Sequence, residues 1–317
     1  MKILVMGAGA IGSVVGGFMA KAGHEVMLVG RDPHIGAIVQ DGLRISGIWG
    51  DHVVSNLHAG TGSRGFGQRS FDLILITVKS YDTLDATRFV YPVVEAQTLV
   101  CAYQNGLGNA ETIANLVGWE RTVGARVIFG ARINAPGHVE VTVMANPTAL
   151  GVYHPSAPAS RVRAIAETMN EAGIPTVFTE KIATLLWAKV AYNCALNPLS
   201  ALLDVPYGVL AETDYTRSIM GEVIDELYQV GHAVNVELDP PEAEDYKRLL
   251  FDELIPPTAA HYASMREDLL LRRRTEIEAI NGAIVRNGAR HGIACPANAF
   301  LTRMIHAREH ALGIPLE

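Results

Sequence analysis

The chain is poor in cysteine, in aromatic side chains and in net positive charge, and it has no long apolar run. Cys101, Cys194 and Cys295 are its only cysteines, widely spaced and odd in number, with no CxxC pair. That argues against a disulfide framework and against a cysteine-based zinc site, so no metal is expected and the three read as buried thiols. Basic residues number 26 against 33 acidic ones, for a formal net charge of -7. Without a long basic block, general nucleic-acid binding is not expected. The one basic run, Arg272-Arg273-Arg274, reads as the solvated side of a helix that also carries Glu276 and Glu278. No stretch reaches the ~18 apolar residues that cross a bilayer. Met1-Lys2-Ile3-Leu4-Val5 reads directly as a strand rather than as the start of a signal peptide. A cytoplasmic protein with no membrane partner is the expectation.

What is present is an ordinary globular composition, 49% hydrophobic and 19% charged over 317 residues, long enough for two domains of roughly 150 residues each. The two halves follow different patterns. Up to about residue 180, short β-branched runs alternate with helical stretches, as a parallel sheet with crossover helices requires. The strands are expected at Lys2 to Met6, Glu25 to Val29, Leu73 to Val78, Thr98 to Ala102, Thr122 to Phe129, Val139 to Val143 and Thr176 to Thr179. Gly60 to Ser70 reads as a glycine-rich surface loop with no assigned role. From Lys181 onward helical patterns take over, at Ala183 to Leu203, Tyr215 to Asn235, Glu242 to Leu254, Met265 to His291 and Ala297 to Leu312. Pro240-Pro241 and Pro256-Pro257 fit the boundaries between them. The expected fold is therefore a doubly wound α/β domain over 1–180 followed by an all-α domain over 181–317.

The segment KILVMGAGAIG places Gly7, Gly9 and Gly12 in GxGxxG spacing, directly after a strand and at the start of a helix. In that context the first glycine permits the tight turn and the second lets the backbone approach a pyrophosphate. The third allows close helix packing, and the free N–H groups of Ala10 and Ile11 face the anion. Dinucleotide binding follows. The second strand runs into EVMLVGRD, where an NAD enzyme would place a ribose-binding carboxylate. Register puts Gly30 there and Arg31 next, which favours the 2′-phosphate of NADP(H). The competing reading uses Asp32 as the ribose acid after a slip of two residues. Lys79 and Gln104-Asn105-Gly106 follow later strands at the ligand-binding edge of the sheet, or are simply a surface lysine and an amide turn.

The stretch WAKVAYNCALNP at 187–198 carries Lys189, Asn193 and Asn197 at four-residue steps on an apolar helical pattern. Each step turns about 40° and climbs about 6 Å, so the three side chains form one polar stripe. A buried ammonium there calls for an anionic or polar partner. The plain alternative is a surface lysine and two amides satisfied by backbone. A protonated lysine suits hydride chemistry, because it stabilises a developing alkoxide and donates the proton. Asn193 and Asn197 would fix substrate oxygens, although Pro198 is expected to pull Asn197 out of helical geometry.

These residues resemble the ketopantoate reductase family, the NADPH-dependent 2-dehydropantoate 2-reductases. The resemblance runs through GAGAIG at 7–12, VGR at 29–31, VKSYDT at 78–83, QNGLGN at 104–109 and WAKVAYNCALNPLSAL at 187–202. It continues through ASMRED at 263–268, RRTEIEAINGAI at 273–284 and HGI-x-x-P-x-N at 291–298. It implies a Rossmann domain followed by a helical domain of the 6-phosphogluconate dehydrogenase C-terminal type, with the active site in the cleft between them. By position it assigns Lys189 as general acid and Glu276 as the carboxylate that completes the active site. Asn193, Asn197 and Ser264 become substrate ligands. Gly7, Gly9, Ala10, Ile11, Gly12, Arg31, Lys79, Asn105 and Glu276 become contacts for NADPH/NADP+. The implied reaction converts 2-dehydropantoate to (R)-pantoate for pantothenate and coenzyme A synthesis. Ala263 stands where the family often has a hydroxyl, with His261 and Tyr262 upstream, so a paralogous reductase of another branched 2-oxo acid is the nearest rival. Related β-hydroxyacid dehydrogenases share the lysine and asparagine but lack the context of Glu276. A non-catalytic NADPH sensor would have no use for the stripe. A homodimer stays open.

Overall fold

The computed structural model describes residues 1–62 and 70–315. Most of the loop read from Gly60 to Ser70 lies outside the described residues. The chain divides into two compact units, Met1–Gln104 with Asn109–Ile182, and Asn105–Gly108 with Ala183–Glu317.

The first unit is built on strands β1 (Lys2–Met6), β2 (Glu25–Val29), β3 (Leu43–Gly47), β4 (His52–Val54), β5 (His58–Gly60), β6 (Leu73–Ile76), β7 (Leu99–Ala102), β8 (Thr122–Arg126), β9 (Phe129–Ala135), β10 (His138–Met144), β11 (Thr148–Val152) and β12 (Thr176–Thr179). Eight of them form one sheet in the order β12-β11-β8-β7-β6-β1-β2-β5. It is parallel throughout except where β11 runs against β8. Leu73 to Ile76 and Leu99 to Ala102 are buried at every position, as strands covered by helices on both faces must be. Strand order reverses at β1, which pairs β2 on one side and β6 on the other. The crevice at its carboxyl end is where an open α/β sheet binds ligands. Helix α1 (Ala10–Lys21) starts there.

The remaining strands make a second sheet, β4-β3-β10-β9, which packs on α1. A Cβ added to Gly17 of α1 would meet the terminal methyls of Ile45 at 2.6 Å and Leu43 at 2.9 Å, so glycine lets the helix approach these strands without moving their side chains. This sheet corrects one expectation. The run Thr122 to Phe129 is not one strand: β8 stays in the large sheet and β9 leaves it for the small one. A continuous β-branched run does not reveal a change of sheet. Helices α2 (His34–Asp41), α3 (Thr83–Val90), α4 (Asn109–Val117) and α5 (Ala159–Glu171) complete the unit.

Among its described residues the second unit has helices and no strand: α6 (Ile182–Leu203), α7 (Tyr207–Leu210), α8 (Asp214–Ala233), α9 (Ala243–Leu249), α10 (Ser264–Leu270), α11 (Asn281–Arg290) and α12 (Pro296–Ala311). None of the described helices is long and apolar enough to cross a membrane. Asn197 is helical, contrary to the expectation drawn from Pro198, because α6 continues through the proline. Proline has no N–H for the carbonyl four residues back, and Asn281 supplies one instead. Its Nδ2 donates to Cys194 O at 3.1 Å and to Asn298 Oδ1 at 3.0 Å. Asn298 Nδ2 in turn donates to Glu226 Oε2 at 2.7 Å. The Glu226 carboxylate also accepts the N–H groups of Ala297 and Asn298 at 2.7 and 2.9 Å, closing the start of α12. Two motif asparagines thus repair a helix and its neighbour's cap rather than reach a ligand.

A third correction concerns the span expected as one helix from Met265 to His291. The chain leaves α10 after Leu270, passes Arg272 in left-handed backbone at φ 51°, makes a 3-10 turn at Ile277–Ala279 and re-enters α-helix only at Asn281. Buried carboxylates draw this segment out of helix. The Glu309 side chain accepts the Thr275 N–H at 2.7 Å, and Arg273 pairs with Asp268 at 3.1 Å. The Arg272-Arg273-Arg274 run is therefore a connector, not a helix face.

Candidate active site

The cofactor half belongs to the first unit. Gly7 leaves β1 at φ +120°, a conformation L side chains rarely adopt, and a Cβ there would sit 2.6 Å from Val78 N. Gly9, the residue before α1, has nothing within 4 Å of where a Cβ would be, so the surface of the turn is open. The first turn of α1 holds no acidic residue and no side-chain cap. The N–H groups of Ala10, Ile11 and Gly12 thus have no helical acceptor and meet an anion with favourable dipole.

At the end of β2, a Cβ on Gly30 would lie 2.4 Å from Ala8 Cβ and 3.2 Å from the Ile35 side chain. An acidic residue cannot stand at that position without displacing the glycine turn. Asp32, the competing ribose acid, is occupied otherwise: its Oδ1 accepts the Gly36 N–H at 2.9 Å and closes the first turn of α2. Arg31 is exposed and lies 3.4 Å from Asp82. An open phosphate turn, no room for a carboxylate and a neighbouring guanidinium fit a dinucleotide carrying a 2′-phosphate. Lys79 follows β6 at the carboxyl edge and opens the 3-10 turn Ser80–Asp82.

The polar stripe belongs to the second unit and runs along α6. Lys189 is half-buried, and its Nζ donates to Asn105 Oδ1 at 2.5 Å. Asn105 comes from the four-residue excursion 105–108 that groups with the helical unit. That excursion is clamped to the turn after Glu276. Leu107 N donates to Ala279 O at 2.8 Å, and a Cβ on Gly106 would lie 2.5 Å from the same oxygen. The structure therefore gathers Lys189, Asn105 and the Glu276–Ala279 segment, residues far apart in sequence.

Farther along α6, Asn193 is 9% exposed and Asn197 4% exposed. Tyr207 donates its hydroxyl proton to Asn197 Oδ1 at 2.8 Å, which leaves the amide N–H groups as the donors still to be met. Burial raises the Tyr207 phenol well above its usual range, so it remains a donor. Among the described residues no protein group hydrogen-bonds the Asn193 side chain, although its amide is more than nine-tenths buried. Most buried amides in folded proteins have partners, which makes the Asn193 side chain a candidate hydrogen-bonding group for a ligand.

Ser264 is exposed at the first position of α10. The turn before it is pinned by buried Ser200, whose Oγ accepts the Ala263 N–H at 3.3 Å and donates to Val205 O at 2.7 Å. His261 packs its ring 5.3 Å from that of Tyr207, which in turn meets Tyr192 at 5.7 Å.

Residues 3–155 match the family described as ketopantoate reductase PanE/ApbA, and residues 181–309 match the C-terminal part of that family. The chain belongs to the ketopantoate reductase family. Ketopantoate reductase relatives include the 2-dehydropantoate 2-reductase of Aquifex aeolicus, 39% identical over 98% of this chain and 97% of the relative. That of Pyrococcus horikoshii is 37% identical over 99% of each. Among solved structures, a PanE/ApbA family ketopantoate reductase from Ralstonia eutropha has a TM-score of 0.88 at 32% identity, covering 99% of this chain and 100% of that one. D-mandelate dehydrogenase with NADH and anilino(oxo)acetate also has a TM-score of 0.88, at 28% identity and the same coverage.

Two residues of this ketopantoate reductase fold escaped the sequence reading. Tyr207 and Ser200 govern Asn197 and the approach to Ser264, and both lie within the 197–207 stretch. Ser200 lies three residues beyond Asn197, close to the same face of the helix, a spacing that could have pointed to it.

Proposed function

We propose that this protein is a 2-dehydropantoate 2-reductase, reducing ketopantoate to (R)-pantoate with NADPH in the synthesis of pantothenate and coenzyme A. The observation that carries the reading is the unpartnered, buried amide of Asn193, one helical turn from Lys189. NADPH, when bound, supplies the hydride. The phosphate turn Gly7 to Gly12, with Arg31 and Lys79, holds its anionic groups. Lys189 places an ammonium at the reacting carbonyl oxygen, stabilises the charge that develops there and gives up the proton. Asn105 fixes that ammonium by accepting one of its protons and contacts the cofactor with Glu276. Glu276 is also the second catalytic group, on a segment anchored to the 105–108 excursion. Asn193 and Asn197 offer amide N–H donors to the carboxylate and hydroxyl oxygens of the 2-oxo acid, and Ser264 adds a hydroxyl. Residues 1–180 act as the NADPH domain and 181–317 as the substrate domain. A biosynthetic reductase of this kind works in the cytoplasm on a small molecule, with no nucleic acid or membrane partner, as a monomer or a homodimer.

Lys189→Ala tests the reading: turnover with ketopantoate should fall by about 10²- to 10⁴-fold while the dissociation constant for NADPH stays within a factor of two. Unchanged turnover would remove Lys189 from the chemistry. A binding-only NADPH protein would show no turnover before the substitution.

One observation favours a second reading. Tyr192, Tyr207 and His261 form a continuous ring cluster beside Asn197, and D-mandelate dehydrogenase in complex with NADH and anilino(oxo)acetate is a structural neighbour. A paralogous reductase of a 2-oxo acid with a bulkier apolar side chain would use the same lysine and amides against that wall.

A further inference from the structure

We propose that Ser13 and His34 form a buried brace that sets how strongly this protein prefers NADPH over NADH. The proposal rests on the reading that Arg31 meets the 2′-phosphate. Ser13 directly follows Gly12 in α1 and is fully buried, and His34 opens α2 at 7% exposure. Ser13 Oγ and His34 Nε2 lie 3.0 Å apart. On the other side of the ring, Gly137 N donates to His34 Nδ1 at 3.0 Å. A backbone N–H can only donate, so Nδ1 is the acceptor, the ring proton sits on Nε2, and Nε2 donates to the serine oxygen. The imidazole is neutral, and burial pushes its pKa below the ordinary value.

The brace joins two places that would each hold an anion. On one side, Ser13 N donates to Gly9 O at 2.9 Å, so Ser13 belongs to the turn that presents N–H groups to the pyrophosphate. On the other, His34 is tied to Arg31 through a compact turn. Ile35 N donates to Arg31 O at 3.3 Å and Gly36 N to Asp32 Oδ1 at 2.9 Å. The backbone of Arg31 is thereby referenced to α1 through a side-chain hydrogen bond, in addition to the bonds from Gly7 N and Ala8 N to Val29 O at 2.9 and 2.8 Å that hold the end of β2. A ligand with both a pyrophosphate and a 2′-phosphate gains from a fixed spacing between the two sites, whereas NADH uses only the first. Loosening the brace therefore weakens NADPH and leaves NADH nearly unaffected. Loss of general folding quality would weaken both together.

The test measures dissociation constants of NADPH and NADH for the full chain by titration calorimetry, which needs no assumption about the 2-oxo acid. Ser13→Ala and His34→Asn each remove the bond to α1, the latter keeping an acceptor for Gly137. Each should lower the NADPH-over-NADH preference by about tenfold, with the NADH constant moving less than about twofold. His34→Gln keeps an N–H able to reach Ser13 and should retain the preference. Unchanged preference in Ser13→Ala and His34→Asn, or a parallel rise of both constants, would overturn the brace. Arg31→Ala separates this from the parent reading. Collapse of the preference there beside wild-type preference in Ser13→Ala and His34→Asn removes the brace alone. An unchanged preference in Arg31→Ala removes the 2′-phosphate site and the brace with it.

Discussion

Replacing Asn281 with alanine should destabilise the helical unit far more than a typical polar substitution, and by an amount that depends on Pro198. Asn281 is fully buried and its Nδ2 donates to two acceptors, Cys194 O and Asn298 Oδ1. Alanine leaves both without a donor in a dry interior, each worth about 1–3 kcal/mol. Asn281 Oδ1 itself has no partner among the described residues, so its removal returns part of that. The expected net loss is about 2–4 kcal/mol. Pro198→Ala restores an N–H at position 198, which closes the helical bond to Cys194 O and makes one of the two donors redundant. In that background Asn281→Ala should cost at least about 1 kcal/mol less, a coupling a double-mutant cycle resolves. The assay is urea unfolding of the four proteins, followed by far-ultraviolet circular dichroism and by fluorescence of Trp187, which is buried on α6. An equal cost in both backgrounds would refute the idea that Asn281 substitutes for the missing proline N–H.

Other predictions follow from single features. Gly30→Asp, the change that would imitate an NAD enzyme, should lower the melting temperature and weaken both cofactors, since its Cβ collides with Ala8 at about 1–3 kcal/mol; a clean switch to NADH at an unchanged melting temperature would contradict the packing argument. Asn193→Ala should raise KM for the 2-oxo acid about tenfold without altering stability or NADPH affinity, because its amide holds no protein group; lost stability at unchanged KM would make it structural. Burial alone would lower the pKa of His306, but hydrogen bonds and charge from Glu278 and Glu309 outweigh it and hold the ring above its ordinary 6.5. A raised folded-state value means its stabilisation is fully present below about pH 6.5 and is lost as pH rises through the folded value. Melting curves of wild type and His306→Gln should therefore converge as pH increases, and a constant gap would contradict the charged bridge.

The α/β character and the parallel sheet were legible because the strands that build its centre are uninterrupted apolar runs, such as Leu73 to Ile76, bounded by glycine and helix signals. The second sheet was not. His52–Val54 is three residues long, too short for alternation to rise above chance, and Leu43–Gly47 carries its pattern in only five; the equally short His58–Gly60 escaped notice at the edge of the large sheet. The stripe on α6 was legible from spacing alone, since the helix is continuous and apolar. Its surroundings were not, because they arise from contacts that no local pattern encodes. Asn105 reaches Lys189 across 84 positions, and Asn281 reaches the carbonyl that Pro198 strands across 87. The same applies in reverse to Arg272-Arg273-Arg274. A helical composition misread that segment, because the buried carboxylate that holds the Thr275 N–H, Glu309, lies outside the span on α12, while Asp268 pairs with Arg273 from within it.

The most direct test of the account is the rate of NADPH oxidation by the purified protein with ketopantoate, beside 2-oxoisovalerate and phenylglyoxylate as competing 2-oxo acids. The account predicts kcat/KM for ketopantoate higher by orders of magnitude than for either competitor. Equal or greater efficiency with phenylglyoxylate would contradict the assignment and give the site to a bulkier apolar 2-oxo acid.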